Sequence, residues 1–241
     1  MMPDTMDATP HPPADAPQFR RWIAAGVGVV LVSLVLMRVQ PHRMGVLPSG
    51  MLTPVLALEL VRTPGEVERI FGAAPEQRVA WVARMVHGTT IDFALLALYG
   101  LFLGGIASEL RRGGSRAALV ALGLSFFAAC FDAGENWQLL TIFAHLGEKY
   151  DATVSTLRLF TSLKWSCLAG YFALIAPALW ARRGFARAAA VSGVLGAVAT
   201  PLALAVRGVA AELMMNALSV AIALLFVAAY RSKPEPATGG R

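Results

Sequence analysis

Long stretches of Ala, Leu, Val, Phe and Gly recur along the chain with little interruption by charge. A helix needs about 20 predominantly apolar residues to cross the hydrocarbon core of a bilayer. Runs of that kind cover residues 22–39, 89–109, 117–144 and 155–180. A last apolar run, 187–230, is too long for one crossing. Arg207, Gly208 and Glu212 interrupt it, so it reads as a helical hairpin with crossings at 187–206 and 210–230. The pattern predicts an all-α integral membrane protein: a six-transmembrane-helix bundle with an amphipathic helical segment in its first outer loop. Residues 20–231 form the single transmembrane domain. Residues 1–19 and 232–241 have almost nothing to bury and are expected to be disordered cytoplasmic tails.

The outer loop, 41–88, has its own pattern. Thr63-Pro64-Gly65-Glu66 is a capping box with proline at the first helical position. The threonine hydroxyl is placed to accept from the Glu66 N–H, and the Glu66 carboxylate to reach back to the cap. Val67, Ile70 and Phe71 then make an apolar stripe at helical spacing. Pro75 opens a further stretch, with Val79, Val82, Met85 and Val86 on one face, that runs into the second span. The expectation is a short amphipathic helix on the outer surface, capping the bundle. The apolar run 51–61 reads equally well as a re-entrant or a surface-lying segment.

Composition narrows the class. Of the 241 residues, 56% are hydrophobic and 15% charged, against about 45–50% and 25% in soluble proteins. A small soluble enzyme, a disordered regulator and a disulfide-stapled secreted domain are excluded. Cys130 and Cys167 lie in apolar runs without metal-ligand spacing, which suggests buried packing. The net charge of +6 reads as a topology signal, with no nucleic-acid partner. Arg20 and Arg21, then Arg111, Arg112 and Arg116, then Arg182, Arg183 and Arg187, then Arg231 and Lys233 fall on one side. That side is expected to be cytoplasmic, with both termini there. Arg43, Arg62, Arg69, Arg78 and Arg84 lie in the long outer loop, where charge weighs less. The first span follows Arg20-Arg21 without a small-x-small cleavage site, so it reads as a retained signal anchor.

Ionisable residues inside spans are rare and mark sites by default. Here they are Asp92, Asp132, Glu135 and Lys164, with Asn136 alongside. Asp132, Glu135 and Asn136 stand at i, i+3 and i+4 and share a helix face. Counted from the outer ends, Glu135 lies roughly 12 Å down its span and Lys164 roughly 13 Å down the next. The two are therefore expected to meet, in a cluster opening toward the outer leaflet. In one reading the cluster only locks helices together. In another the excess carboxylate, protonated, water-exposed or paired with Arg158 or Arg38, forms a functional pocket. Tyr99 lies two turns after Asp92 on the same face. Small residues Ala189, Gly193 and Ala197 suggest close packing of the fifth span, kinked at Pro201. Trp22, Trp165 and Trp180 read as interface anchors or packing. His42, His87 and His145 lack ligand spacing, so neither a metal nor another cofactor is expected.

Four stretches together form a pattern: Leu58-Glu59-Leu60 leading to Thr63-Pro64-Gly65-Glu66-Val67; Asp92-Phe93; Asp132-Ala133-Gly134-Glu135-Asn136; and Leu163-Lys164-Trp165. Over about residues 55–180 this resembles a family of small bacterial multi-pass membrane proteins to which no activity is attached. The resemblance implies a bacterial inner-membrane setting and the same polar residues. Three function classes fit the sequence. One is a binding or accessory protein for membrane lipids, a small ligand or a membrane-protein partner. The second is a lipid-active enzyme using Asp132 or Glu135 as acid and base. The third is a proton-coupled carrier, which the absence of an internal repeat disfavours.

Overall fold

The computed structural model describes residues 18–72 and 74–232. Most of both expected tails lies outside these residues. Phe19, expected in the tail, is instead a core residue in a 3-10 turn, Phe19–Trp22. The turn leads into α1 (Ile23–Val39), followed by the short helices α2 (Pro54–Glu59) and α3 (Pro64–Phe71). Five long helices complete the chain: α4 (Pro75–Arg112), α5 (Ala117–Ala144), α6 (Asp151–Trp180), α7 (Phe185–Val206) and α8 (Val209–Arg231). No strand occurs among the described residues. Six helices are long and apolar enough to cross a membrane, so the chain is an all-α, multi-pass membrane bundle. Many outward residues, Leu31, Phe126, Val198 and Leu202 among them, are apolar, as helices in contact with lipid require.

Helices adjacent in sequence pack side by side from α4 to α8, and α1 lies against α4 and α8. Small residues set the spacing. A Cβ on Gly105 would come 2.0 Å from the Trp22 ring, so only glycine lets the start of the chain press against α4. Gly193 and Gly196 do the same for α7: a Cβ would come 2.5 Å from Phe172 and 2.6 Å from Leu218. Ala189 and Gly193 are buried, whereas Ala197 is half-exposed because the close-packed face turns through Gly196. The helix runs on through Pro201. The cysteines depart from expectation: Cys130 is exposed on the outer face of α5, and Cys167 is only half-buried.

The helix of the second span starts at Pro75, as expected of the stretch that Pro75 opens, well before the apolar run 89–109. α4 is 38 residues long, about 57 Å at the standard rise, and so outruns a core about 30 Å thick. Its first turns stand clear and organise the outer loop. Arg84 donates to the carbonyls of Val39 (2.8 Å), Arg38 (3.2 Å) and Gln40 (3.2 Å), closing the open end of α1. On the same stretch Met85 is buried but Val79 is exposed, so the expected four-residue face is only partly used.

The outer loop is seated in the bundle. Val67, Ile70 and Phe71 of α3 are fully buried, as are Leu56, Ala57 and Leu58 of α2. The helical part of run 51–61, α2, therefore packs its buried face against α5 and α6, while Leu52 before it stays exposed. The Thr63 hydroxyl accepts from the Glu66 N–H at 3.3 Å, as the capping box requires. The Glu66 carboxylate differs from the motif: it accepts from the Arg62 N–H (2.8 Å) and from both Arg207 guanidinium arms (2.7 and 3.0 Å). That guanidinium, foremost by its hydrogen bonds, holds Glu66 below the usual carboxylate range. Arg207 has φ 61°, a conformation costing a side-chain-bearing residue about 1–3 kcal/mol. The bidentate pair and a bond to the Leu60 carbonyl (3.1 Å) offset that strain. Glu68 accepts from Arg78, from the Tyr150 hydroxyl (2.8 Å) and from the Gly147 N–H (3.1 Å). Glu212 accepts from the N–H groups of Leu52 and Thr53, both at 2.8 Å, at the entry to α2.

Candidate functional site

The polar centre is assembled by four elements, with α5, α6 and α2 meeting at Lys164 and α4 completing the network. α5 contributes Asp132, Glu135 and Asn136 on one face, because spacings of three and four residues return to the same side of a helix. Gly134 lies between them, beneath Phe160 of α6; a Cβ there would come 2.9 Å from the ring. The missing side chain lets α5 and α6 approach closely. From α6, the Lys164 ammonium then reaches Glu135 at 2.5 Å and Asp132 at 3.3 Å.

The third element is α2. Its last residue, Glu59, accepts from Lys164 at 3.1 Å and from the Trp165 indole N–H at 3.3 Å. The Glu59 backbone carbonyl, an open end of a short helix, accepts from the Thr161 hydroxyl at 3.1 Å. One ammonium therefore joins the inserted loop to two spans. Asp132 also accepts from the Tyr99 hydroxyl of α4 at 2.8 Å, and Asp92 of α4 accepts from Asn136 at 2.8 Å.

All five residues expected in the cluster come together in this network. Lys164, Asp132 and Glu135 are nearly sealed, at 5%, 6% and 1% exposure. The outward opening expected from the sequence is covered here, because α2 sits across it. The suggested partners Arg158 and Arg38 are exposed and pair with no carboxylate among the described residues. Glu59 adds a further acid instead of a further cation, so the cluster holds four carboxylates and one lysine, three of the acids bonded to it. Glu135 Oε2 is buried without a hydrogen-bond partner. The Glu135 carboxylate therefore meets the Lys164 ammonium through its other oxygen alone. Burial, as the largest cause, raises the Glu59 carboxyl above the usual range; Lys164 pulls it down and Asp132 pushes it up again.

Sequence reasoning places Glu59 in the outer loop and in the Leu58-Glu59-Leu60 stretch of the resemblance, outside the cluster. The signal for it was available: a lone carboxylate inside the apolar run 51–61 invites the same scrutiny as an acid inside a span. Trp165, read as an anchor or packing, is buried and bonded to Glu59. Trp22 is half-buried against Gly105 of α4, whereas Trp180 is exposed at a helix end. His87 and His145 bond carbonyls of their own helices, Ala83 and Thr141.

Removing the ammonium should expose what it holds. Lys164→Met leaves buried carboxylates unmatched and should cost about 3–5 kcal/mol, read as a lower Tm in detergent at neutral pH. Adding Glu135→Gln should restore much of the loss. Acidification should narrow the gap, since protonated acids no longer need the cation. Unchanged stability in Lys164→Met would show that the network carries no weight. Comparison with family models, curated proteins and solved structures finds no match to this chain, so the chemistry of the site rests on its own residues.

Proposed function

We propose that this protein is a binding protein of the bacterial inner membrane that takes a lipid-like ligand from the bilayer into a groove beside its polar cluster. One observation carries the reading. Tyr99 lines an apolar groove of about 310 Å³ between α1, α4 and α8, and the same hydroxyl donates to Asp132. Val29, Val30, Phe102 and Phe226 supply the apolar wall, with Ser33 and Ser219 as further polar groups. The Tyr99 hydroxyl, which donates its hydrogen bond to Asp132, keeps oxygen lone pairs that a ligand donor reaching in from the groove could use. The fitting ligand has an apolar body and a hydrogen-bond donor such as a hydroxyl or amide N–H. Ala223, exposed on the groove wall, gives the test. Ala223→Trp should exclude lipid that co-purifies with the wild type, by mass spectrometry of the detergent-extracted protein. Tyr99→Phe should keep apolar occupants but lose selectivity for donor-bearing ones. Identical lipid content in all three proteins would overturn the reading.

The inner-membrane assignment is supported by the sequence resemblance to bacterial multi-pass proteins. Orientation is supported by charge: Arg20, Arg21, Arg111, Arg112, Arg116, Arg182, Arg183, Arg187 and Arg231 belong to one end of the bundle, which the positive-inside rule makes cytoplasmic. Several arginines at the other end are engaged, Arg78 with Glu68 and Arg207 with Glu66. With Cys130 and Cys167 replaced, an impermeant maleimide on intact cells should label Lys149→Cys. It should label Ser115→Cys only after permeabilisation. The reverse pattern would invert the topology.

A second reading, proton-linked gating of the same site, is favoured by Glu59. Lys164 and Trp165 of α6, Asp132 and Glu135 of α5, and Asp92 of α4 face it or act on it. Its raised carboxyl means that seated α2 binds a proton more tightly than released α2. Seating is therefore favoured at low pH and weakens as pH climbs from the ordinary carboxylate value through the raised one. Spin labels at exposed Leu52 and Arg116, in the cysteine-free background, should report a longer, broader distance as pH rises over that interval. Glu59→Gln should remove the dependence. A pH-invariant distance in the wild-type sequence would discard the gate.

A further inference from the structure

At the arginine-rich end, the α6–α7 connection, the start of α7, the end of α8 and Phe19 line a second, open pocket of about 410 Å³. Arg182, Arg183 and Arg231 line it, with Phe19, Phe185 and Ser232. Two of the guanidinium groups are held by aromatic faces. Arg182 Cζ lies 4.5 Å from the Phe19 ring centroid, and Arg231 Cζ lies 4.7 Å from that of Phe185. Stacking of this kind fixes a guanidinium while leaving its N–H edge free to bind.

The charge of this cavity is unbalanced. Arg21, Arg78, Arg112 and Arg207 each have a carboxylate within ion-pair distance. Arg182, Arg183 and Arg231 have none among the described residues. Burial without such a partner holds the Arg182 guanidinium below its ordinary value, the cost that a bound anion would remove. The backbone adds donors, because α7 starts at this cavity and no side chain caps it.

We propose that these three arginines form a binding site for the phosphate group of an anionic phospholipid. Charge selects a phosphate, which arginine binds through paired N–H donors. The surroundings select a lipid as its source. Phe19, Phe185, Ala186 and Ala228 give the cavity an apolar wall. Trp180 and Tyr230, exposed at 55% and 67% on the last turns of α6 and α8, are the residue types that stand at the water–lipid boundary. Basic pockets between spans near that boundary accept anionic headgroups.

The test uses the full chain in detergent, with Tm read after adding phosphatidylglycerol, phosphatidylcholine or inorganic phosphate. Native mass spectrometry counts bound lipid in parallel. Phosphatidylglycerol should raise Tm, phosphatidylcholine should not, and added salt should shrink the effect. Arg182→Gln with Arg231→Gln should weaken phosphatidylglycerol binding roughly tenfold or more, two charged hydrogen-bonding groups being lost. Should that double variant fail to fold, Arg183→Gln, an exposed position, gives the same comparison by lipid count. A shift produced equally by inorganic phosphate, and lost in the variants, would retain the anion site but make its ligand soluble. Equal stabilisation by phosphatidylcholine, or phosphatidylglycerol binding unchanged in the variants, would overturn the proposal.

Discussion

A single ammonium shared by three carboxylates inside an apolar bundle is the constraint on which the rest of this protein depends. Lys164 lies within 3.3 Å of Glu59, Asp132 and Glu135, where water is scarce and unmatched charge is expensive. Removing the lysine strands acids; removing the acids strands the lysine. Neither helix can slide or rotate without separating partners, so the network fixes the register of α5 against α6. Hydrophobic packing alone specifies register weakly in a membrane, because lipid tails solvate apolar faces as well as a neighbouring helix does.

The same ammonium explains how the first outer loop comes to be inside. α2 is six residues long, too short to be a stable helix by itself. It persists because its apolar face is buried, its entry N–H groups meet Glu212, and its end meets Lys164 and Thr161. Glu66 and Glu68 secure α3 to Arg207 and Arg78 in the same manner. The loop is thus held by carboxylates on cations and on backbone donors, contacts that respond to protonation far more than methyl packing does.

Polar and apolar recognition meet at Tyr99. Its ring belongs to a lipid-facing groove and its hydroxyl to the sealed cluster. A ligand lying in the groove would be one hydrogen bond, Tyr99 to Asp132, away from the cluster without entering it. The arginine pocket at the opposite end uses the complementary logic: cations with no carboxylate partner among the described residues, two of them stacked on Phe19 and Phe185. The bundle keeps its surplus acid in the interior and its surplus base at one rim.

What the sequence by itself determined is what short-range physics controls. Apolar run lengths set the spans, Thr63-Pro64-Gly65-Glu66 set the start of α3, and helical spacing put Asp132, Glu135 and Asn136 on one face. Counting from span ends even matched Glu135 with Lys164, because rise per residue is constant within a helix. The early start of α4 was only partly legible, since its first turns carry the charges of a surface helix while the hydrophobic run begins later. Tertiary structure alone decided which distant groups met. Glu59 reaches Lys164 across 105 positions and Glu66 reaches Arg207 across 141, and no local periodicity encodes such pairings. They arise when a loop with little helical stability of its own finds, in the assembled bundle, the cations and open backbone groups that make its burial favourable.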